Sequence, residues 1–500
     1  MFKKIMLFPF CLVIGSMLVV PAMGQSGLHY DLSQDLVVDP SGNMYMTGWS
    51  EGGGEARKYT TVKFSSAGNF LWMASYDGAG DSIAWNLAVD SSGNVYVAGW
   101  SGLVKYDANG VQQWVVGSGY WDVALYTDPN SSQIFVYATG NSDTAKYDVN
   151  GTQIWQATRG GRELEVDSQG NLYASSLNGW PYGVIKFNGN GVQQWFVSEN
   201  YSDCVQVDSS GNVYVGGSSS GGANAFIVRK YNASGGLIWT KTVPFTHAEC
   251  KALELYEDPI ANQVYVYVTG PGYPPGSPAH HINTMKLDES GNVIWLKSYD
   301  GPADGFGWGA GLTVDSSGCV YVIGESLGIG TGYSDYVTLK YDAAGNQLWE
   351  ARYNGSANGT DAPTDIVLAP DASGELRVYV TGRSDGLGTG WDFATVKYSL
   401  DGAKLGEYRY DRPCSPDAII MNLIQTTALI DSKNSQSLIA KLESALNSYR
   451  ETTGNDYNNA INKLEAFKNA CDADKLLTEE NRGYLKNQAS DAIACMRSKI

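Results

Sequence analysis

The chain has 500 residues, a formal net charge of -18 and a sequence pI near 4.6, which argues against nucleic acid or an anionic membrane as partner, since both need basic patches. Its 59 glycines and 17% charged residues fit a turn-rich all-β protein, and the length has room for one large repeat domain and a small second one.

At the start, Lys3 and Lys4 precede an apolar run over 5–20, followed by Pro21 and the small-residue exit Ala22-Met23-Gly24. This predicts a secretory signal over residues 1–24, with cleavage before Gln25. The run is short for an anchor, so no membrane span is expected after cleavage. Cys11 follows Phe10 inside the apolar run, which argues against a lipid-modified cysteine.

The recurring unit is clearest at 89–114, VDSSGNVYVAGWSGLVKYDANGVQQW. Residues 87–90 predict a short apolar strand, and D-S-S-G at 90–93 a tight turn in which Asp caps the backbone and Gly takes positive φ. Val95, Tyr96 and Val97 suit a second strand, ended by Gly99. A third strand at 104–106, a turn at 107–110 and a fourth strand at 111–114 complete the unit. Four such strands, apolar on both faces, cannot bury themselves alone and must stack on copies.

Two marks count those copies. A Lys in the third strand recurs at Lys63, Lys105, Lys146, Lys186, Lys230, Lys286, Lys340 and Lys397. A Gly-x-x-x-Trp closes seven units: Gly68/Trp72, Gly110/Trp114, Gly151/Trp155, Gly191/Trp195, Gly235/Trp239, Gly291/Trp295 and Gly345/Trp349. In the eighth, Gly402 leads to Gly406. The pattern predicts an all-β propeller of eight four-stranded blades over 25–411, closed into a ring with a degenerate last blade at the seam. The repeated Trp reads as a wedge between blades, and the Lys as a stem packed there with its ammonium paired locally.

These units resemble the bacterial β-propeller repeats called SBBP, which look like VDSSGNVYVTG, a Gly-rich spacer, DYATIKY and GNxLW. The match is closest at 314–349 (VDSSGCVYVIGESLGIGTGYSDYVTLKYDAAGNQLW) and 378–398 (VYVTGRSDGLGTGWDFATVKY), and it covers about residues 28–410. The resemblance implies an exported propeller without a defined activity. It departs from the family pattern in having eight units where the family's name implies seven, and in placing Cys319 where Asn is usual.

Turns between first and second and between third and fourth strands are short and uniform, as at 208–211 and 342–345, whereas the other connections vary, as at 50–58, 176–183, 271–283 and 301–311. Binding residues favour variable loops on a rigid scaffold. Of the 14 tryptophans, seven are the wedges; Trp49, Trp85, Trp100, Trp121, Trp180, Trp308 and Trp391 lie in or beside the variable connections. Such rings stack on sugars or on peptide at interaction hot spots, or else fold under their own loops as satellite clusters. The same loops carry acidic Gly-rich turns whose Asp81, Asp304 and Asp361 are weak candidate calcium ligands, although no D-x-D-x-D-G loop with a closing Glu is present.

Enzyme signatures are sparse. His29, His247, His280 and His281 form no strong metal spacing, and G-x-S-x-G, Walker and Rossmann fingerprints are absent. Two carboxylates meeting in the central channel would allow a polysaccharide hydrolase or lyase, which stands as the main alternative. Eight blades closing on Trp also resemble the quinone-dependent alcohol dehydrogenases, but adjacent cysteines and the Thr-Gly-Lys turn are lacking, so this reading ranks third.

After Tyr410, Ala, Leu, Ile, Asn and Lys at helical spacing replace the Gly-rich alternation. Ser415-Pro416-Asp417 starts a helix carrying Ile420, Leu423 and Ile424. Leu438, Leu442, Ala445, Leu446 and Tyr449 mark a second, Ala460, Leu464, Phe467 and Cys471 a third, and Thr478 caps a fourth with Leu485, Ala489, Ala492 and Met496. A small four-helix bundle over 412–500 is expected. It resembles the FIMAH domain of exported bacterial proteins at IAKLESA (439–445), AINKLEAF (460–467) and LTEENRGYL (477–485), an accessory module in that family.

Six cysteines remain after signal cleavage, and export permits disulfides. An up-and-down bundle would bring Cys414 near Cys495, while Cys204 and Cys250, at the starts of neighbouring blades, could pair. The expectation is an exported binding or adhesion protein, secreted, periplasmic or at the cell surface, without catalysis. It would use a Trp-rich loop face to bind carbohydrate or protein, with no cofactor beyond the calcium candidates.

Overall fold

The D-x-x-G turns owe their shape to the Asp side chain. In the turn at 90–93, Asp90 Oδ1 accepts the backbone N–H of Ser92 and of Asn94, both at 2.9 Å. Its Oδ2 accepts Asn94 Nδ2 at 2.8 Å and the Tyr96 hydroxyl at 3.1 Å. One carboxylate thus ties turn to second strand, and Asp39, Asp167 and Asp208 do the same. At Asp315 the bonds from Ser317, Cys319 N–H and Tyr321 persist, but the thiol of Cys319 does not replace the Asn amide.

The computed structural model describes residues 29–410 except 53–55, 79, 118, 177–182, 199–201, 219–224, 303–304, 329–331 and 387–389, together with 435–450, 458–473, 486 and 489. The expected signal segment, Trp180, Asp304, Cys414, Cys495, the first tail helix and nearly all of the fourth lie outside the described residues.

Between these turns the strands form successive antiparallel quartets, one being Ala84–Val89, Val95–Gly99, Gly102–Tyr106 and Gln112–Val116. Among the described residues there are six separate four-stranded sheets and one of eight strands, in which the first and last quartets are joined. The first strands of the quartets are His29–Val38, Ala84–Val89, Tyr120–Thr127, Glu163–Val166, Cys204–Val207, Ala252–Asp258, Gly307–Val314 and Asp361–Pro370. Each touches the first strand of the next quartet, and Asp361–Pro370 touches His29–Val38. Sheets arranged radially in this way make a β-propeller.

Neighbouring quartets interlock through the repeated Trp, Lys and Gly. From Trp72 to Trp349, each of the seven indole N–H groups donates to a backbone carbonyl in the outer turn of the following quartet, at 2.9–3.2 Å. Lys105, Lys146, Lys286 and Lys340 donate to the same carbonyl as their quartet's Trp. In every quartet the Lys ammonium also lies over a second-strand Tyr, 4.6–5.5 Å from the ring centre. The Lys is therefore part of the joint between sheets.

The turn Gly is the seat on which the preceding Trp rests. At Gly110 φ is +80°, and a Cβ would stand 2.8 Å from the Trp72 ring; the other Trp seats leave 2.6–3.0 Å. At the seam, where Gly406 stands in place of Trp, Tyr408 takes over two residues later and packs on Gly68. The seam also carries a short parallel pairing of His29 and Tyr30 with Gly390 and Trp391.

In the tail, α1 (Ser435–Arg450) and α2 (Asn458–Ala473) pack as a hairpin. Leu438, Leu442, Ala445 and Leu446 of α1 and Ala460, Ile461, Leu464, Phe467 and Cys471 of α2 are buried, matching the apolar stripes of the second and third expected helices. Among the described residues no helix is long and apolar enough to cross a membrane.

Candidate functional site

The inner strands gather carboxylates at one recurrent position, the residue directly before a buried apolar side chain that recurs in each quartet. Asp35 Oδ2 accepts the N–H of Leu87 in the next quartet at 2.7 Å, while its Oδ1 accepts Leu36 N–H at 2.9 Å. Asp122 does the same with Leu164 and Val123, Glu163 reaches Val205 at 2.8 Å, and Asp365 bonds Leu36 across the seam at 3.1 Å. Asn86 points likewise at Val123 N–H, 3.4 Å away. For Asp35, Asn86 and Asp365 a register shift in the strand lies beside the residue, whereas the longer Glu163 sits in unbroken register.

Crowding many acids into one ring has an electrostatic effect. Burial, more than any neighbouring charge, pushes Asp122 up to about 7 and Glu163 to about 8. Glu165 and Glu254, one position further along their strands from the core residue, are each pushed up to about 7 by burial, with Asp122 and Asp365 respectively adding repulsion. Asp35 and Asp365 face one another and both are raised, again chiefly by burial. Because Asp35, Asp122, Glu163 and Asp365 spend their oxygens on backbone amides, they act as clasps between sheets.

At the start of two inner strands and the end of a second strand, three of the seven loop tryptophans come together. Trp85 and Trp121 each directly precede a clasp residue, Asn86 and Asp122, and Trp100 follows Val95–Gly99. Ring centres are 4.9 Å apart for Trp85 and Trp121, 6.0 Å for Trp85 and Trp100, and 6.4 Å for Trp100 and Trp121. The backbone fixes them: Trp100 N–H donates to Ile83 O, and its carbonyl accepts Gly119 N–H, both at 3.0 Å. Trp121 Nε1 donates to Asn141 Oδ1 at 2.5 Å. Trp85 Nε1 is buried with no acceptor among the described residues, and all three side chains keep part of their surface in solvent.

The other described loop tryptophans lie apart, each against its own partners. Trp49 is buried beneath the Arg57 guanidinium, 4.6 Å from the ring centre. Trp391 lies under Arg383 at 4.1 Å and edge-on to Tyr30 at 5.2 Å. Trp308 stacks on Phe306 at 6.0 Å and meets His280 at 5.0 Å, and His280 in turn contacts Tyr273 at 4.0 Å. Burial lowers the pKa of His280, with a lesser contribution from His247.

The two described calcium candidates stand in different surroundings. Asp81 is exposed and accepts Arg57 N–H at 3.2 Å, whereas Asp361 is buried, accepts Gly355 N–H at 2.8 Å and is pushed up to about 6 by burial. Among the described residues no group of three or more His, Cys, Asp or Glu is placed to hold a metal ion.

No protein-family model matches the chain, and no curated protein does. Solved structures similar to it include a eukaryotic initiation factor, 11% identical, covering 76% of this chain and 88% of that one with a TM-score of 0.40. Another is Hsv2 of Kluyveromyces lactis, 9% identical over 64% of this chain and 98% of that one, TM-score 0.39. A protein of unknown function from Bacteroides caccae is 12% identical over 67% and 97%, TM-score 0.32.

Proposed function

We propose that the chain is an exported, non-enzymatic binding protein of the SBBP-repeat kind, an eight-bladed propeller with a FIMAH-like helical tail, which holds carbohydrate on its variable-loop face. The observation that carries this reading is the cluster of Trp85, Trp100 and Trp121, three partly exposed indoles within 4.9–6.4 Å of one another. Grouped rings on rigid strand ends offer a stacking surface for the apolar faces of sugars, with Asn141 beside them as a polar group. Calcium at Asp81 or Asp361 is not required for such stacking. Against the hydrolase or lyase alternative stand the clasp bonds, since carboxylates holding backbone amides on both sides are poor proton shuttles.

The test is titration of the mature chain with soluble polysaccharides, with released sugar assayed in parallel. Saturable binding that weakens about tenfold or more on Trp100→Ala or Trp121→Ala, with an unchanged melting temperature, is expected. Release of sugar would transfer the reading to the enzyme alternative. Binding that survives loss of all three rings would remove this surface from the account.

A further inference from the structure

The ring of clasps changes character after the fourth quartet. Where Asp35, Asn86, Asp122, Glu163 and Asp365 stand in their own quartets, the fifth has Cys204, the sixth Ala252 and the seventh Gly311. Cys204 begins the inner strand Cys204–Val207, and Cys250 lies just ahead of the neighbouring inner strand Ala252–Asp258. Their Sγ atoms are 3.5 Å apart across the boundary between the two sheets, and each residue is 2% exposed. Both belong to one apolar cluster with Phe226, Phe245 and Leu253. Gly216 leaves the space that Cys250 uses, since a Cβ there would lie 2.4 Å from its sulfur.

We infer that Cys204 and Cys250 form a disulfide that staples the fifth quartet to the sixth, a covalent clasp at the first boundary that lacks a carboxylate or amide clasp. Two sulfurs already in van der Waals contact need only a small approach to bond. The oxidant is a second disulfide, of the glutathione or thiol-oxidase class: one thiolate attacks it and releases a thiol. The other thiolate then displaces the second thiol from the mixed disulfide. Two S–H protons leave, one S–S bond forms, and the oxidant's disulfide ends as two thiols. The hydrogen bond with the facing Cys250, and then burial, raise the Cys204 thiol's pKa, so the native reduced pair reacts slowly and closure belongs to folding or to transient opening. The proposed export supplies a suitable compartment, but the chemistry is independent of any ligand, so failure of the staple and failure of carbohydrate binding are separate results.

The experiment uses the full chain purified under reducing conditions and held in oxidised glutathione a few degrees below its melting temperature. It is then alkylated in denaturant and mapped by mass spectrometry. A linked Cys204–Cys250 peptide is expected, together with a melting temperature that falls on the order of 5 °C on reduction. The variant C204A/C250A should fold yet show no such dependence on redox state. Recovery of both residues fully alkylated, or linkage of either to Cys319 or Cys471, would overturn the inference, as would an unchanged redox response in the double variant.

Discussion

Trp114→Ala is expected to cost about 2–3 kcal/mol of stability, below the range for deleting a fully buried aromatic because the indole keeps part of its surface in solvent. The indole fills the space between the second and third quartets, rests on Gly151 and donates to Val149 O at 3.1 Å. Truncation leaves a void between two sheets and strips one of two donors from that carbonyl, while Lys105 keeps its own bond to it at 2.7 Å. Trp114→Phe should recover most of the packing but not the hydrogen bond, placing it between the two. Urea unfolding of the three proteins checks the order, and a Phe variant no better than Ala would mean that the hydrogen bond, not the ring, is the joint. Gly151→Ala attacks the same joint from the other side, by straining a φ of +84° and pressing a methyl against the ring.

The second large effect is one of pH. Glu165 and Glu254 have folded-state pKa values raised to about 7, chiefly by burial, so the native state takes up protons that the unfolded chain releases. Their contribution is therefore most favourable below the ordinary carboxylate range near 4.5 and is lost as pH rises to about 7. Replacing both by Gln removes the charge and keeps the shape. The double variant should gain on the order of 2 kcal/mol per site at pH 8, discounted for partial solvent contact, and almost nothing at pH 4. Urea midpoints at the two pH values decide the matter: an equal difference at both would show that the carboxylates are not the source.

How much of this could be read in the chain differs from element to element. The turn at 90–93 and the strands beside it were legible because a D-x-x-G turn and a β-branched run constrain backbone locally, and repetition multiplied the signal. The wedge was legible for the same reason, since Gly110 and Trp114 stand at a fixed spacing within one hairpin. Tyr408 was missed as the closing wedge because the spacing shifts there by two residues. Which loop tryptophans meet was not legible, because Trp85 and Trp121 are brought together by the packing of neighbouring inner strands, and Trp49 is removed from solvent by Arg57 from its own loop. The clasp carboxylates left a trace that went unread: aligned on the core residues Leu36, Leu87, Val123, Leu164 and Ile366, the preceding position is acidic or Asn each time.

The seam has a mechanical consequence. The first and last quartets are each built from one contiguous stretch of chain, so neither end lends a strand to complete the other's sheet. They are fastened by the two-residue pairing at His29 and Tyr30, the bond from Leu36 to Asp365, those from Thr364 to Ser33 O and from Thr381 to Ser33 Oγ, Tyr408 seated on Gly68, and one apolar cluster in which Leu36, Met46 and Phe70 pack with Ala369, Tyr379 and Tyr410. Tension applied between residues 29 and 410 loads this buckle directly, and it should part before the strand ladders inside the quartets do, because only two residue pairs join the first and last quartets by backbone pairing. The hoop would then straighten into a string of paired sheets before any one of them unravels.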